Sequence, residues 1–239
     1  MIRVGHLSPL IIQEEDVRAF YKVAPPDFKL VSRALNISQL TDEEITDKMK
    51  GALVPLKDLI EYGVDIIVIG GSPTVLTAGE EFVNFLKDYV EGLGVKVGFS
   101  HYFQMGALEA VGMKNPVVFT PWGNEVGSSQ NQRMADDLEQ RGIKPRRIFG
   151  LNIPLKERGR LPDDYLLGVI PTKLKELAED FDGIYIPCAN WPVVDCLGEL
   201  EKIYGKPAVS SSAALMHGII KTLGLKTVIK GFGRLLEHN

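Results

Sequence analysis

Cys188 is the residue of this chain best placed to do chemistry. It follows the apolar run Ile184-Tyr185-Ile186 and Pro187, and precedes Ala189-Asn190-Trp191-Pro192. The run reads as a buried parallel strand, and ligands in open α/β sheets collect at the carboxyl ends of strands. A thiol at such an end can deliver a proton to a substrate carbon. The same residue type also packs as a small core hydrophobe.

A second stretch repeats the pattern. Val64-Asp65-Ile66-Ile67-Val68-Ile69 leads into Gly70-Gly71-Ser72-Pro73, again an acid, an apolar strand, then a tight loop of small and polar residues. Aligned on the strands, Gly70 matches Cys188, Gly71 matches Ala189 and Ser72 matches Asn190. Two related halves with loops facing across a cleft would place a thiol on one side and only hydrogen on the other. The glycines lack the G-x-G-x-x-G and G-x-x-x-x-G-K-[ST] spacings of nucleotide sites. Backbone N–H groups in such a turn, with the Ser72 and Thr74 hydroxyls beside them, suit a carboxylate or an enolate instead. A plain strand-to-helix turn carries the same residue types.

These loops need strands and helices to hold them, and the chain alternates the two. Strands are expected at Arg3–Leu7, Lys29–Leu35, Val64–Ile69, Val95–Phe99, Pro116–Thr120, Arg146–Leu151, the thiol strand, and Ala208–Ser210. Helices are expected at Gln13–Tyr21, Thr41–Tyr62 with a kink at Pro55, Ala78–Leu93, Tyr102–Val111, Gln130–Arg141 and Asp163–Glu179. Two more are expected, one from Pro192 to Tyr204 and one capped by Ser211-Ser212 and ending at Leu223. Thr41 with Glu44 three residues on forms a capping box, and Gly70 to Thr77 reads as a loop. Such alternation implies right-handed crossovers and parallel sheets. The expected fold is α/β: two pseudo-symmetric doubly wound units, each with a four-stranded parallel sheet, and a site in the cleft between them. Residues 1–99 with about 213–239 would form the first unit and 100–212 the second.

Composition sets outer limits. The 239 residues are 45% hydrophobic and 24% charged, with a net charge of −4, which gives no basic footprint for nucleic acid. No apolar run has the length of a membrane span. Two cysteines are too few for a disulfide framework, and the start at Met1-Ile2-Arg3-Val4-Gly5 lacks a signal-peptide layout, so a cytoplasmic protein with reduced thiols is expected. His6, His101, His217 and His238 are scattered and form no metal motif.

Taken together the chain resembles the Asp/Glu racemase superfamily, and within it the maleate isomerase and arylmalonate decarboxylase group. The resemblance runs over almost the whole length. It rests on Ile69-Gly70-Gly71-Ser72, Thr120-Pro121-Trp122, Pro187-Cys188-Ala189, Pro207-Ala208-Val209-Ser210-Ser211-Ser212 and the tail Gly231-Phe232-Gly233-Arg234-Leu235-Leu236. Racemases and maleate isomerases of this superfamily carry a cysteine in each half; the decarboxylases keep only the second, as here. The resemblance therefore implies a cofactor-independent carboxy-lyase acting on a 2-substituted, arylmalonate-type dicarboxylate. Cys188 would be the catalytic residue. Gly71, Ser72, Thr74, Trp122 and Ala189 would bind substrate, and Pro9, Ile37, Leu40 and Ile153 would form the apolar pocket for the departing carboxylate. Neither metal nor cofactor is implied, and the partner would be a small dicarboxylate, with a homo-oligomer left open.

The chain departs from that pattern in three places. Trp122 stands where the group has tyrosine, Gly127-Ser128-Ser129-Gln130 looks like a small insertion, and Asn190-Trp191 replace smaller residues. The alternatives are a maleate cis-trans isomerase or racemase in which His6 or Ser72 stands in for the missing thiol, and a carboxylate-binding homologue without chemistry. A maleamate-type hydrolase would need a first-half cysteine nucleophile. Cys196, eight residues past the thiol, is expected in the core.

Overall fold

A computed structural model describes residues 1–123, 128–175, 177 and 180–237, with the side chain of residue 128 left aside. The chain forms two four-stranded parallel sheets. The first holds β1 (Ile2–Leu10), β2 (Phe28–Ile37), β3 (Ile66–Ile69) and β4 (Lys96–Phe99) in the order β2-β1-β3-β4. The second holds β5 (Val117–Thr120), β6 (Arg147–Gly150), β7 (Ile184–Ile186) and β8 (Ala208–Ser210) in the order β6-β5-β7-β8. Strands β3 and β7 are apolar or aromatic throughout because both faces are covered. Every residue of β3, β5 and β7 is buried. This is the α/β architecture of two similar halves that the alternating pattern predicts.

In each sheet the strand order reverses beside a central strand, between β1 and β3 and between β5 and β7. Crossover helices leave in opposite directions there, so a crevice opens at the carboxyl ends of those strands.

The helices are α1 (Glu14–Val23), α2 (Asp42–Lys50), α3 (Leu53–Tyr62), α4 (Ser72–Gly92), α5 (Ser100–Ala110), α6 (Ser128–Gln140), α7 (Leu155–Arg158), α8 (Tyr165–Leu174), α9 (Leu197–Tyr204), α10 (Ser211–Leu223) and α11 (Arg234–Glu237). α10 packs on α5 and α1.

Several boundaries differ from the sequence reading, each for a local reason. The single helix expected over Thr41–Tyr62 divides at Gly51-Ala52, while Pro55 sits in the first turn of α3, where its missing N–H costs nothing. Thr41 caps α2 by accepting from the Glu44 N–H, at 3.3 Å, but the Glu44 carboxylate does not close the box. It accepts from the Ser38 N–H and the Gln39 N–H, at 2.9 and 2.7 Å, and so holds the preceding loop.

The stretch Gly70 to Thr77, read as a loop, is already helical from Ser72. Pro73 occupies the first turn, and Gly79, at φ 80°, kinks the helix between this opening segment and the rest of α4. The helix expected over Asp163–Glu179 is shorter, Tyr165–Leu174, and its last expected residues lie outside the described ones. Pro192 opens no α-helix: a 3₁₀ turn at Val194–Cys196 leads into α9, and Cys196 is fully buried there, its thiol donating to the Asp163 carbonyl at 3.1 Å. Ser210, rather than Ser211-Ser212, caps α10, accepting from the Ala213 N–H at 3.2 Å. Gly127 of the insertion lies outside the described residues.

Candidate functional site

Both crevices open on one cavity. Pro9 and Leu10 end β1, Gly70 to Pro73 follow β3, Trp122 follows β5, and Cys188 to Asn190 follow β7; all line the same space. It holds about 890 Å³ free of atoms, open solvent at the mouth included. Three helices begin at its wall, α4 with Ser72, α5 with Ser100 and α10 with Ser211 and Ser212. Each helix N-terminus carries unpaired N–H groups and the positive end of a dipole, so three of them favour negative charge in the cavity.

Cys188 is half-buried and held in an uncommon backbone conformation, φ 79°. A non-glycine residue there costs on the order of 1 kcal/mol and persists only where surroundings enforce it. Trp191, fully buried, does so: its Nε1 donates to the Cys188 carbonyl at 2.9 Å. The thiol faces the Asn190 Oδ1 at 2.5 Å. Burial pushes this thiol above the usual cysteine range, against the opposing pull of Arg158. It is therefore a protonated thiol at neutral pH, a donor rather than a ready nucleophile.

Arg158 was not anticipated. It is 6% exposed at the end of α7, and it does not line the cavity but stands behind the thiol. Its Nε donates to the Ile153 carbonyl at 3.0 Å, and its Nη1 donates to Asn190 Oδ1 at 3.1 Å and lies 3.7 Å from Cys188 Sγ. Among the described residues no carboxylate pairs with it.

Ser72 is oriented by a relay that the sequence did not suggest. The Tyr185 hydroxyl donates to Gln104 Oε1 at 2.8 Å, and Gln104 Nε2 donates to Ser72 Oγ at 3.0 Å. With its oxygen already accepting, the Ser72 hydroxyl is left to donate. Burial also raises the Tyr185 phenol well above its usual range, so it stays a donor.

Further polar atoms wait on the cavity wall. Ser100 Oγ, Trp122 Nε1, Asn190 Nδ2, Ser211 Oγ and Ser212 Oγ are buried without a partner in the protein, and all five residues line the cavity. Buried polar groups are nearly always paired, so these atoms are available to hydrogen-bond a polar group that enters the cavity.

Opposite the thiol loop, Gly70 leaves no room for a side chain. A Cβ there would stand 2.8 Å from His6 Nε2 and 3.0 Å from Pro9 Cδ. At Gly71, φ 85°, a Cβ would meet Thr74 Oγ1 at 2.7 Å.

The residues read from the sequence thus divide. Cys188, Gly71, Ser72, Trp122, Ala189, Pro9 and Leu40 line one cavity. Thr74, Ile37 and Ile153 do not. Thr74 is fully buried under the Gly71 turn, with its hydroxyl unpartnered. Ile37 ends β2, which runs further than expected, and its side chain enters the core of the first half. Ile153 packs in the larger hydrophobic core, which joins residues of both halves, and offers its carbonyl to Arg158. Trp122 meets the cavity; Trp191 does not, and serves the backbone of the thiol instead. Among the described residues no cluster of His, Cys, Asp and Glu could hold a metal ion, and no helix is long and apolar enough to cross a membrane.

Comparison with known proteins agrees with this geometry. Over residues 18–236 the chain matches the family model described as arylmalonate decarboxylase. It is 23% identical over 216 residues to the arylmalonate decarboxylase of Bordetella bronchiseptica, covering 90% of this chain and 88% of that protein. Among solved structures it is similar to a liganded double mutant of arylmalonate decarboxylase, with a TM-score of 0.84 at 20% identity over 100% of both chains. It is equally similar to the maleate isomerase Iso of Pseudomonas putida, with a TM-score of 0.83 at 20% identity over 99% of this chain and 98% of the other. The chain belongs to the arylmalonate decarboxylase family, whose fold is shared by maleate isomerases.

Proposed function

We propose that this protein is a cofactor-independent decarboxylase of 2-substituted malonates. The observation that carries the reading is the asymmetry of the cavity: the lone Cys188 thiol on one side, and at the matching position a glycine whose side-chain space is taken by His6 and Pro9. One carboxylate is held by the Gly71 and Ala189 N–H groups and by Ser72, with the Trp122 indole N–H as a further donor. The other carboxylate lies against Pro9 and Leu40. The bond from the α-carbon to that carboxylate breaks, CO₂ leaves, and the electron pair passes into the retained carboxylate as an enediolate. Donors aimed at developing charge are worth several kcal/mol in a water-poor site. Cys188 then gives its proton to the α-carbon, and the resulting thiolate regains one from solvent before the next turnover. A raised thiol pKa suits this role, because the proton must still be on sulfur when the enediolate forms.

An isomerase reading has support in the shared fold. It asks for a thiolate that adds to an alkene, which a buried thiol of raised pKa disfavours. Incubation with phenylmalonate and with maleate separates the two. Release of CO₂ from phenylmalonate without formation of fumarate from maleate is the expected result, and fumarate without CO₂ would overturn the proposal.

A further inference from the structure

The cavity continues past the thiol over the face of the first sheet. Val4 and His6 alternate onto one face of β1; Val4 pairs with Leu30 and His6 with Val68, so all four side chains share that face. α1 covers it, with Asp16 and Phe20 one turn apart and both turned to the cavity. This arm is an apolar bed interrupted by two polar side chains, Asp16 and His6. Neither forms a hydrogen bond or ion pair through its side chain with any described residue, although His6 is only 7% exposed. Two unpartnered groups beside an apolar bed await a partner from the ligand.

We propose that this arm receives the α-substituent of the substrate, and that the substituent is an aromatic ring bearing a hydroxyl group, which hydrogen-bonds to Asp16 and His6. The ring lies on Val4, Leu30 and Val68 under Phe20, and the hydroxyl both donates and accepts. The charge states agree. Burial, with Glu15 adding, pushes the Asp16 carboxyl up to about 7, and burial holds the His6 imidazole down to about 4. His6 is then neutral, with one N–H to give, and Asp16 supplies acceptor oxygens. A bare phenyl ring would leave both groups unpaired, a loss that discriminates strongly.

The inference rests on the malonate reading for the reaction, but its test does not need turnover. Calorimetry on the whole protein at pH 7 would compare phenylacetate, 3-hydroxyphenylacetate, 4-hydroxyphenylacetate and 4-methoxyphenylacetate as product-like ligands. At least one hydroxyphenylacetate binds about tenfold more tightly than phenylacetate, and the methoxy compound loses that advantage. Asp16→Leu, checked for folding by thermal melting, binds phenylacetate as well or better and no longer prefers the hydroxyl. Absence of a hydroxyl preference in the wild type, no measurable binding of any of the four, or a preference that survives in Asp16→Leu overturns the proposal. A hydroxyl preference without CO₂ release from either phenylmalonate or its hydroxylated forms would instead overturn the decarboxylase reading alone.

Discussion

The Nη1 of Arg158 lies 3.7 Å from the Sγ of Cys188, with no carboxylate among the described residues to neutralise it. Burial raises the thiol pKa and Arg158 lowers it, so the thiol is tuned between two opposed effects. Arg158→Gln removes the cation and leaves only the Asn190 backbone N–H to oppose burial. Alkylation of Cys188 followed against pH should shift upward by about one pH unit. Arg158→Lys should recover part of the shift. Asp16, His6 and Tyr185 also surround this sulfur or its cavity and are unchanged in these variants.

The relay from Tyr185 through Gln104 to Ser72 fixes which way the Ser72 hydroxyl donates. Gln104→Leu leaves the Tyr185 hydroxyl unpaired and frees Ser72 to turn. Turnover of phenylmalonate should fall about tenfold, mainly in kcat, with a loss of stability on the order of 1 to 3 kcal/mol in denaturant unfolding.

Gly71 is required by its backbone. A Cβ at φ 85° would press on Thr74 Oγ1 and on Pro9 Cγ, 2.8 Å away. Gly71→Ala should cost on the order of 2 kcal/mol, through strain and overpacking together. Gly142, also at positive φ but with open space around it, is the control: Gly142→Ala should cost less, on the order of 1 kcal/mol.

Asp16 makes stability depend on pH. Its carboxyl holds a proton in the folded state up to about 7 but releases it near 3.8 when unfolded. The folded state therefore binds more protons across that window, and stability falls as pH rises through it. Asp16→Asn removes the penalty. Its gain should be absent below the unfolded value and complete above pH 7, on the order of 2 kcal/mol after allowance for water in the cavity. Melting curves at pH 5 and pH 8 should show a Tm gain of a few degrees that is larger at pH 8.

Strands β3 and β7 were legible because each is a short apolar run followed by a loop of small and polar residues, at Ile66–Ile69 and Ile184–Ile186. That pattern also placed Cys188 and Ser72 at the carboxyl ends of strands. Helix starts were harder. Ser72-Pro73-Thr74 has the composition of a turn, yet Pro73 suits a first helical turn and Gly79 hides the continuity of α4. Supporting polar residues left no signal. Asp16 looks like a surface charge at the start of an amphipathic helix, Gln104 sits in an apolar helix, and Arg158 lies in a short segment without periodicity. Their roles follow from long-range approach, 81 residues between Gln104 and Tyr185 and 30 between Arg158 and Cys188. Ile37 and Ile153 show the converse: apolar residues near a loop, which β2's extra length and the larger core drew inward.

The central claim is that one thiol protonates one face of the enediolate. The most direct measurement is conversion of 2-methyl-2-phenylmalonate by the wild type and by Cys188→Ala, with CO₂ release and the handedness of the 2-phenylpropionate both followed. The wild type should give a single enantiomer, and Cys188→Ala should lose at least about a hundredfold in rate. A racemic product from the wild type, or equal turnover by the two proteins, would contradict the account.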